Sequence, residues 1–433
     1  MNQPPPPCSR VRMAYGLRSA VIALLLMNAD CLVAYGQGGC CFSQPKPGLL
    51  QAIEESTFYF KAERISTSVR VEDETEYFFT TFEVTEILKT PGNSPKVGHR
   101  FESVDGSNAL NPSATEEQKS IIPQRGTSVL FVSDGKDFAV EGRILCETND
   151  AVTAYLASTA AAIAKLTEKD DRRKIFVPYL CHPESVIAED AITEISARSF
   201  HGVHSLIQDL PHKRVIEAFS SSKTDQRWLG HYGLLLGMFG RAEDADLLEK
   251  KIVELDSDFR LGIEGVVAGY LLIRGEEGLE VIEESKMRLR TGTNSKGEED
   301  PLPFSETYAA MEAIRFLWTY EPHQIPRERL RESMRLLLDR PELADLAIND
   351  LTKMKDWASQ ERIIAMFDEE RFDIPAIKRA IVRYLYRSAD VKDKGDLESE
   401  QSAERSVRAV KALEDIRNKA PKLYDDATRY LTR

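Results

Sequence analysis

The chain changes its hydrophobic period once. Between residues 57 and 146, apolar and polar positions partly alternate in short runs, TFYFKAERIS from Thr57, YFFTTFEVTEILK from Tyr77 and SVLFVSDGKDFAVEGRIL from Ser128, broken by Gly, Pro, Asn and Asp. Aromatic and β-branched residues in that pattern suit a pleated, half-buried surface, so strands are predicted, with a hairpin turn at SDGKD between Val132 and Phe138. The polar stretch 104–126 is predicted as a loop over the sheet, and residues 47–56 as a short helix packed on it.

From Asp150 onward the period is helical. DAVTAYLASTAAAIAKLTEK is the first predicted helix, and HPESVIAEDAITEISARS sets Val186, Ile187, Ala191, Ile192 and Ile195 on one face with Glu and Asp opposite. Further helices are predicted around Leu206, Val215, Leu234, Leu247, Val267, Val281, Ala310, Leu336, Leu346, Ile363 and Ile381. Prolines 211, 301, 303, 326, 341 and 375 fall near helix starts or turns, where a missing amide hydrogen costs little. The tail 390–433 carries a weak apolar stripe, Val407, Val410, Leu413 and Ile416, and is predicted to cap the array.

Two helical hairpins repeat visibly. LGHYGLLLGMFGRAEDADLLEKK, from Leu229, returns as LGIEGVVAGYLLIRGEEGLEVIEE, from Leu261, so that Leu229, Gly230, Gly233 and Gly237 map onto Leu261, Gly262, Gly265 and Gly269 at an offset of 32. A period of that length marks stacked helical hairpins, whose apolar faces are buried against neighbours and whose surface is extended. Glycines four apart share a helix face and are read as packing devices; there is no GxxxxGK[ST] and no strand leading into a GxGxxG turn.

Several resemblances follow from these residues. The opening of HPESVIAEDAITEISARS, from His182, resembles the first half of a HEAT repeat, in which a Pro-containing turn introduces an alanine-rich helix. A leading cysteine, a helix over EES, a strand like TFYFKAERI, and a pair around TTFEVTEILKTPG and GTSVLFVSDG ending near Cys146 resemble the netrin-like domain of the tissue-inhibitor-of-metalloproteinase superfamily, which implies a small OB-type barrel. In those inhibitors the mature N-terminal cysteine chelates the target's zinc, and Cys40 occupies that place only if processing cuts after Gly39. Across residues 176–390, the wording YGLLLGMFGRAEDA, FSETYAAMEAIRF and IPRERLRESMRLLLDRPELADLAI is similar to a set of uncharacterised secreted proteins of planctomycete bacteria, which implies the same two-part architecture and assigns no activity.

Composition narrows the setting. In the first 36 residues, Arg10, Arg12 and Arg18 precede the apolar run AVIALLLM at 20–27, and Ala34-Tyr35-Gly36 offers a cleavage site, which predicts a secretory signal whether translation starts at Met1 or Met13. The competing reading is membrane association through the same segment left uncleaved, but only 11 uncharged residues lie between Arg18 and Asp30, against about 20 for a spanning helix. Cys40, Cys41, Cys146 and Cys181 would then sit in an oxidising compartment, and a disulfide joining the N-terminal pair to Cys146 or Cys181 is expected. The formal charge of -13 gives no electrostatic footprint for nucleic acid.

Candidate chemistry is sparse. Of seven histidines (99, 182, 201, 204, 212, 231 and 323), His201 and His204 have spacing for one helix face, but a metal site needs a third ligand such as Glu184 or Asp209. Cys181 and His182 are sequence neighbours and point in different directions, which disfavours a nucleophilic pair. The SxxK matches at Ser43 and Ser220 lack SDN and KTG and are read as surface segments. Arg327, Arg329, Arg331 and Arg335 scatter over a helix, with Glu328 and Glu332 placed to pair with Arg331 and Arg335.

The resulting expectation is a multidomain chain, β then α. It comprises a signal peptide (1–36), a small β-barrel domain of OB or netrin-like type (37–147) and a HEAT-like α-helical solenoid (148–433). The expected role is an exported, secreted or periplasmic, non-catalytic scaffold without cofactor or metal, offering its helical surface or the 104–126 loop to a protein or extracellular polymer. The alternatives are a metal-dependent hydrolase-like enzyme using His201 and His204, and a protease inhibitor acting through the N-terminal domain.

Overall fold

The computed structural model describes residues 48–429 apart from 73–74, 93–94, 110–123, 136–141, 168–170, 197–202, 223, 225, 255–259, 261, 290, 294–298, 391 and 393–398. The predicted signal segment, Cys40, Cys41, Ser43 and His201 therefore lie outside the described residues. The described chain is β then α, and it forms two compact units, residues 42–218 and 219–433. No helix among the described residues is long and apolar enough to cross a membrane.

In the first unit, α1 (Leu49–Glu55) precedes five strands, β1 (Phe58–Glu72), β2 (Thr75–Lys89), β3 (Arg100–Ala109), β4 (Ser128–Ser133) and β5 (Gly142–Glu147). They form one antiparallel sheet in the order β3-β2-β1-β4-β5. The predicted loop at 104–126 begins as strand: β3 runs to Ala109, pairing with β2 from Glu83↔Arg100 to Thr75↔Ala109. Its signal is weak because Asp105 and Ser103, not apolar residues, follow Phe101 at alternate positions.

Period-two alternation puts Phe58, Phe60 and Ala62 of β1, Phe82 and Val84 of β2, Phe101 of β3, and Val129 and Phe131 of β4 into one core. The rings of Phe101 and Phe131 meet at 5.1 Å, although β2 and β1 lie between their strands. In a flat sheet those strands would be about 14 Å apart, so the sheet curls sharply. Register shifts within the 15-residue strands β1 and β2 supply the bend. The edge strands β3 and β5 come into contact.

Strand gives way to helix where the period changes. β5 ends at Glu147, and α2 (Asp150–Ile163) is capped by Asn149, whose side chain accepts from the Val152 amide. Next come α3 (Ser185–Ser196) and α4 (His212–Ser220); Leu206 lies in a short turn rather than a helix. On α3, Ile187, Ala191, Ile192 and Ile195 are buried as predicted. Asp190 and Glu194, assigned from sequence to the solvated face, are buried too.

The second unit contains α5 (Gln226–Phe239), α6 (Ala242–Val253), α7 (Ile263–Arg274), α8 (Glu276–Ile282) continuing into a π-helical turn (Glu283–Arg288), and a short hairpin, β6 (Thr291–Thr293) with β7 (Glu299–Pro301). Then follow α9 (Phe304–Tyr320), α10 (Arg327–Arg335), α11 (Ala344–Lys353), α12 (Gln360–Met366), α13 (Pro375–Ser388), α14 (Ser399–Lys419) and α15 (Pro421–Thr428).

The repeated glycines form the seam between α5 and α7. A Cβ built on Gly230 would stand 2.4 Å from the Gly262 carbonyl oxygen, on Gly237 2.4 Å from the Gly269 Cα, and on Gly269 2.1 Å from the Gly233 carbonyl oxygen. The contacts advance in the same direction on both helices, so the equivalent helices of the two repeats run parallel, backbone against backbone. Helix α6, between them in sequence, packs on both. Farther along, α7 packs on α9, α11 on α13, and α13 on α14 and α15. The predicted cap stripe on α14 divides: Leu413 and Ile416 are buried, while Val407 and Val410 are exposed.

Candidate functional site

Most of the chemistry singled out in the sequence is occupied locally. His204 is exposed, Asp209 pairs with Lys174 at 2.8 Å, and Glu184 accepts from the Asn149 side chain at 2.8 Å. Among the described residues no group of three His, Cys, Asp or Glu is disposed to hold a metal ion. His182 Nδ1 accepts from the Glu184 amide at 3.0 Å, a turn contact beside Cys181, whose φ of 62° is left-handed. Cys146 and Cys181 are not joined to one another. Burial, aided by Asp190 and Glu147, pushes the Cys146 thiol up to about 12, the opposite of what a nucleophile needs. Ser220 ends α4 on the surface.

Of the four arginines on α10, Arg331 is buried, Arg329 and Arg335 are half-buried and Arg327 is exposed. Arg331 donates to the Met354 carbonyl at 2.8 Å, Arg329 pairs with Glu283 at 2.6 Å, and Arg327 lies 4.7 Å above the Trp318 ring. Glu328 pairs with Arg331 at 3.2 Å as expected, but Arg335 reaches Glu328 and Asp356 rather than Glu332. These cations tie successive helices together.

Two buried polar junctions went unseen in the sequence. In the first unit, Asp190 accepts from the Leu49 amide at 2.7 Å and from the Tyr155 hydroxyl at 2.6 Å, joining α1, α2 and α3. Burial pushes its carboxyl above the ordinary range, against these bonds and the positive charge of Arg172. In the second unit, Glu306 of α9 receives Lys286 at 2.7 Å and Arg260 at 2.8 Å. Burial pulls its carboxyl up, but the two cations outweigh it and hold the group below its usual value. The π turn lets neighbouring turns serve different helices: Lys286 reaches Glu306, while Glu283 accepts from Ser333 at 2.6 Å.

A different arrangement lies along the outer stripe of α9. Phe304, 49% exposed, stacks on Tyr308 with ring centroids 5.6 Å apart. One and two turns farther on, Glu312 and Arg315 form an ion pair, Arg315 lies 5.4 Å from the Tyr308 ring, and Asp350 of α11 takes the other side of the guanidinium at 2.6 Å. Glu264, in the first turn of α7, is half-buried and electrostatically coupled to Glu312. Its carboxylate accepts from its own backbone amide. Burial, with a smaller push from Glu312, raises its carboxyl above the ordinary range despite a helix N-terminus that favours the anion. Glu312 and Asp350 thus share one arginine beside the Phe304–Tyr308 pair.

A concavity of 220 Å³ lies between α12 and α14 over Ile364, Phe367, Ala412 and Ile416. Its rim charges are matched, with Lys419 on Asp368 at 2.9 Å, and it falls below the roughly 300 Å³ at which small-molecule pockets begin. Comparison of the chain with protein-family models, curated proteins and solved structures found no match.

Proposed function

We propose that the protein is an exported, non-catalytic binding protein, an OB-type barrel followed in sequence by a HEAT-like α-solenoid that presents its surface to a protein partner in the cell envelope. The observation that carries this reading is the parallel glycine seam between α5 and α7, because equivalent helices stacked in register generate a continuous surface from repeated units. The ion pairs of Arg329 with Glu283 and of Arg335 with Asp356, and the bond from Arg331 to the Met354 carbonyl, support it: charge is spent on joining hairpins, which leaves the outer faces to set recognition.

Barrel closure is supported by the strand order, which is that of a five-stranded OB barrel opened between its third and fifth strands, and by the contact of those two strands. Arg64 of β1 adds a tie, donating to Asp105 of β3 at 2.7 Å and pairing with Glu147 of β5. Export is supported by the basic, apolar and small-residue order of residues 10–36.

The test is capture from a cell-envelope fraction with the mature full-length chain as bait, followed by hydrogen exchange on the purified complex. Protection over the outer surfaces of residues 226–353 is the expected result. Stoichiometric zinc or iron in the purified protein, lost on His204→Ala, would overturn the non-catalytic reading.

A further inference from the structure

We propose that the outer edge of β1 over residues 66–72 takes an extended, basic segment of a partner protein as an added antiparallel strand. The edge lies in the first unit, so this contact goes beyond the solenoid surface and is independent of it.

The first argument is the backbone. β1 has 15 residues and β4 only 6, and the two pair from Phe58↔Ser133 to Glu63↔Ser128. One more exchange precedes β4: Arg64 donates to the Thr127 carbonyl at 3.0 Å and accepts from the Gly126 amide at 2.8 Å. The chain joins the edge only there, through Gly126 at φ 83°, a left-handed turn that suits glycine. β1 itself continues to Glu72, paired with β2 in unbroken register from Ser66↔Thr81 to Glu72↔Thr75, and among the described residues no strand lies on its other side. A row of amide and carbonyl groups at an open edge is a template for another strand. A strand continuing the track of β4 would run antiparallel to β1, as neighbours do throughout this sheet.

The second argument is the side chains. Residues 66–72, STSVRVE, include neither Pro nor Gly, and they place β-branched Thr67, Val69 and Val71 at every second position. Val69 is 44% and Val71 58% exposed, so alternate apolar residues of an incoming strand would bury that face. A charge on an edge ordinarily deters pairing, but Arg70 is drawn to Glu102 at 2.6 Å and lies 3.9 Å over the Phe79 ring.

The third argument is charge, and it selects the occupant. β1 leads into Glu72-Asp73-Glu74-Thr75-Glu76, four acids in five residues. An antiparallel strand starts at that end, so basic residues at its beginning, followed by alternating apolar ones, complement the edge. A second copy of this chain fits less well, because each copy carries a charge of -13.

The test is fluorescence anisotropy of a labelled peptide, KKVTVSVTS, with the full-length chain, together with hydrogen exchange on the mixture. Binding with slowed exchange of amides in 66–72 is expected. Val71→Lys is expected to weaken binding about tenfold, Val71→Thr to leave it within about twofold, and Val407→Lys, on α14, to leave it unchanged. KKVPVPVTS, which keeps the charge and the valines but lacks two amide hydrogens, and EEVTVSVTS, which reverses the charge, are each expected to bind about tenfold more weakly. Equal binding of the proline peptide would overturn strand pairing, and equal binding of the acidic one would overturn the basic partner. Self-association that protects 66–72 would give the edge to a second copy and overturn the proposal, as would no binding at all. Amides of 66–72 that exchange in the free chain as slowly as those of 58–63 would mean that the edge is already paired, with the same consequence. Unchanged thermal unfolding of the Val71→Lys chain separates a lost contact from a lost fold.

Discussion

Arg64 and Asp190 are charged residues whose roles come from partners far along the chain. Arg64 lies in the core of the curled sheet, and its partner Asp105 has a fully buried side chain 41 positions away. Removing one member of such a pair leaves the other buried without a counterion, so Arg64→Met is expected to cost about 3–5 kcal/mol, measured as faster exchange of the β1 amides in a urea series. Asp190 works in the opposite sense. Its carboxyl is raised in the folded state, so the ionised native form carries a penalty above that raised value which is relieved as pH falls through it toward the ordinary carboxylate range near 4. Exchange protection of the α2 and α3 amides should therefore increase on mild acidification in the wild type, and Asp190→Asn should flatten that dependence. Neither residue was legible locally: Asp190 has the spacing of a solvated helix face, and Asp105 sits in a stretch that reads as a loop.

The elements themselves were largely legible. β1, β2 and β4 follow from alternating aromatic and β-branched residues, and the helices of the second unit from their 3.6-residue period, because each pattern is a local consequence of burying one face. β3 escaped because its inward positions after Phe101 are polar and are satisfied only by β1. The glycine seam was visible as a repeat, and the structure gives it a measurable consequence. In Gly269→Ala the new Cβ would meet the Gly233 carbonyl oxygen at 2.1 Å, and backbone cannot rotate away as a side chain can. Better helix propensity contributes about 1 kcal/mol in its favour, but overpacking of 1–3 kcal/mol or more outweighs it. A net loss of about 1–2 kcal/mol is expected, followed by tryptophan fluorescence, since Trp228, Trp318 and Trp357 all lie in the second unit. Val407→Ala, at a site 70% exposed, should change stability by less than about 0.5 kcal/mol.

For the molecule as a whole, charge and architecture act together. With 70 acidic against 57 basic residues, and Arg329, Arg331 and Arg335 of α10 drawn into contacts within the chain, the surface has little with which to neutralise phosphates. The full-length chain is expected not to retard duplex DNA in a gel at about 0.05 M salt; retardation that weakens steeply with salt would contradict this. The order of the fold, strands first and helices after, and the stacking of repeated hairpins were written in periodicity, since hydrophobic spacing and glycine placement act within a few residues of themselves. Which charged groups are buried and which edge strands meet depend on groups brought together from 20 to more than 100 positions apart. A carboxylate such as Asp190 or Glu306 looks ordinary on a single helix face. Packing against neighbouring elements removes water from it, and that desolvation decides which partners it must have.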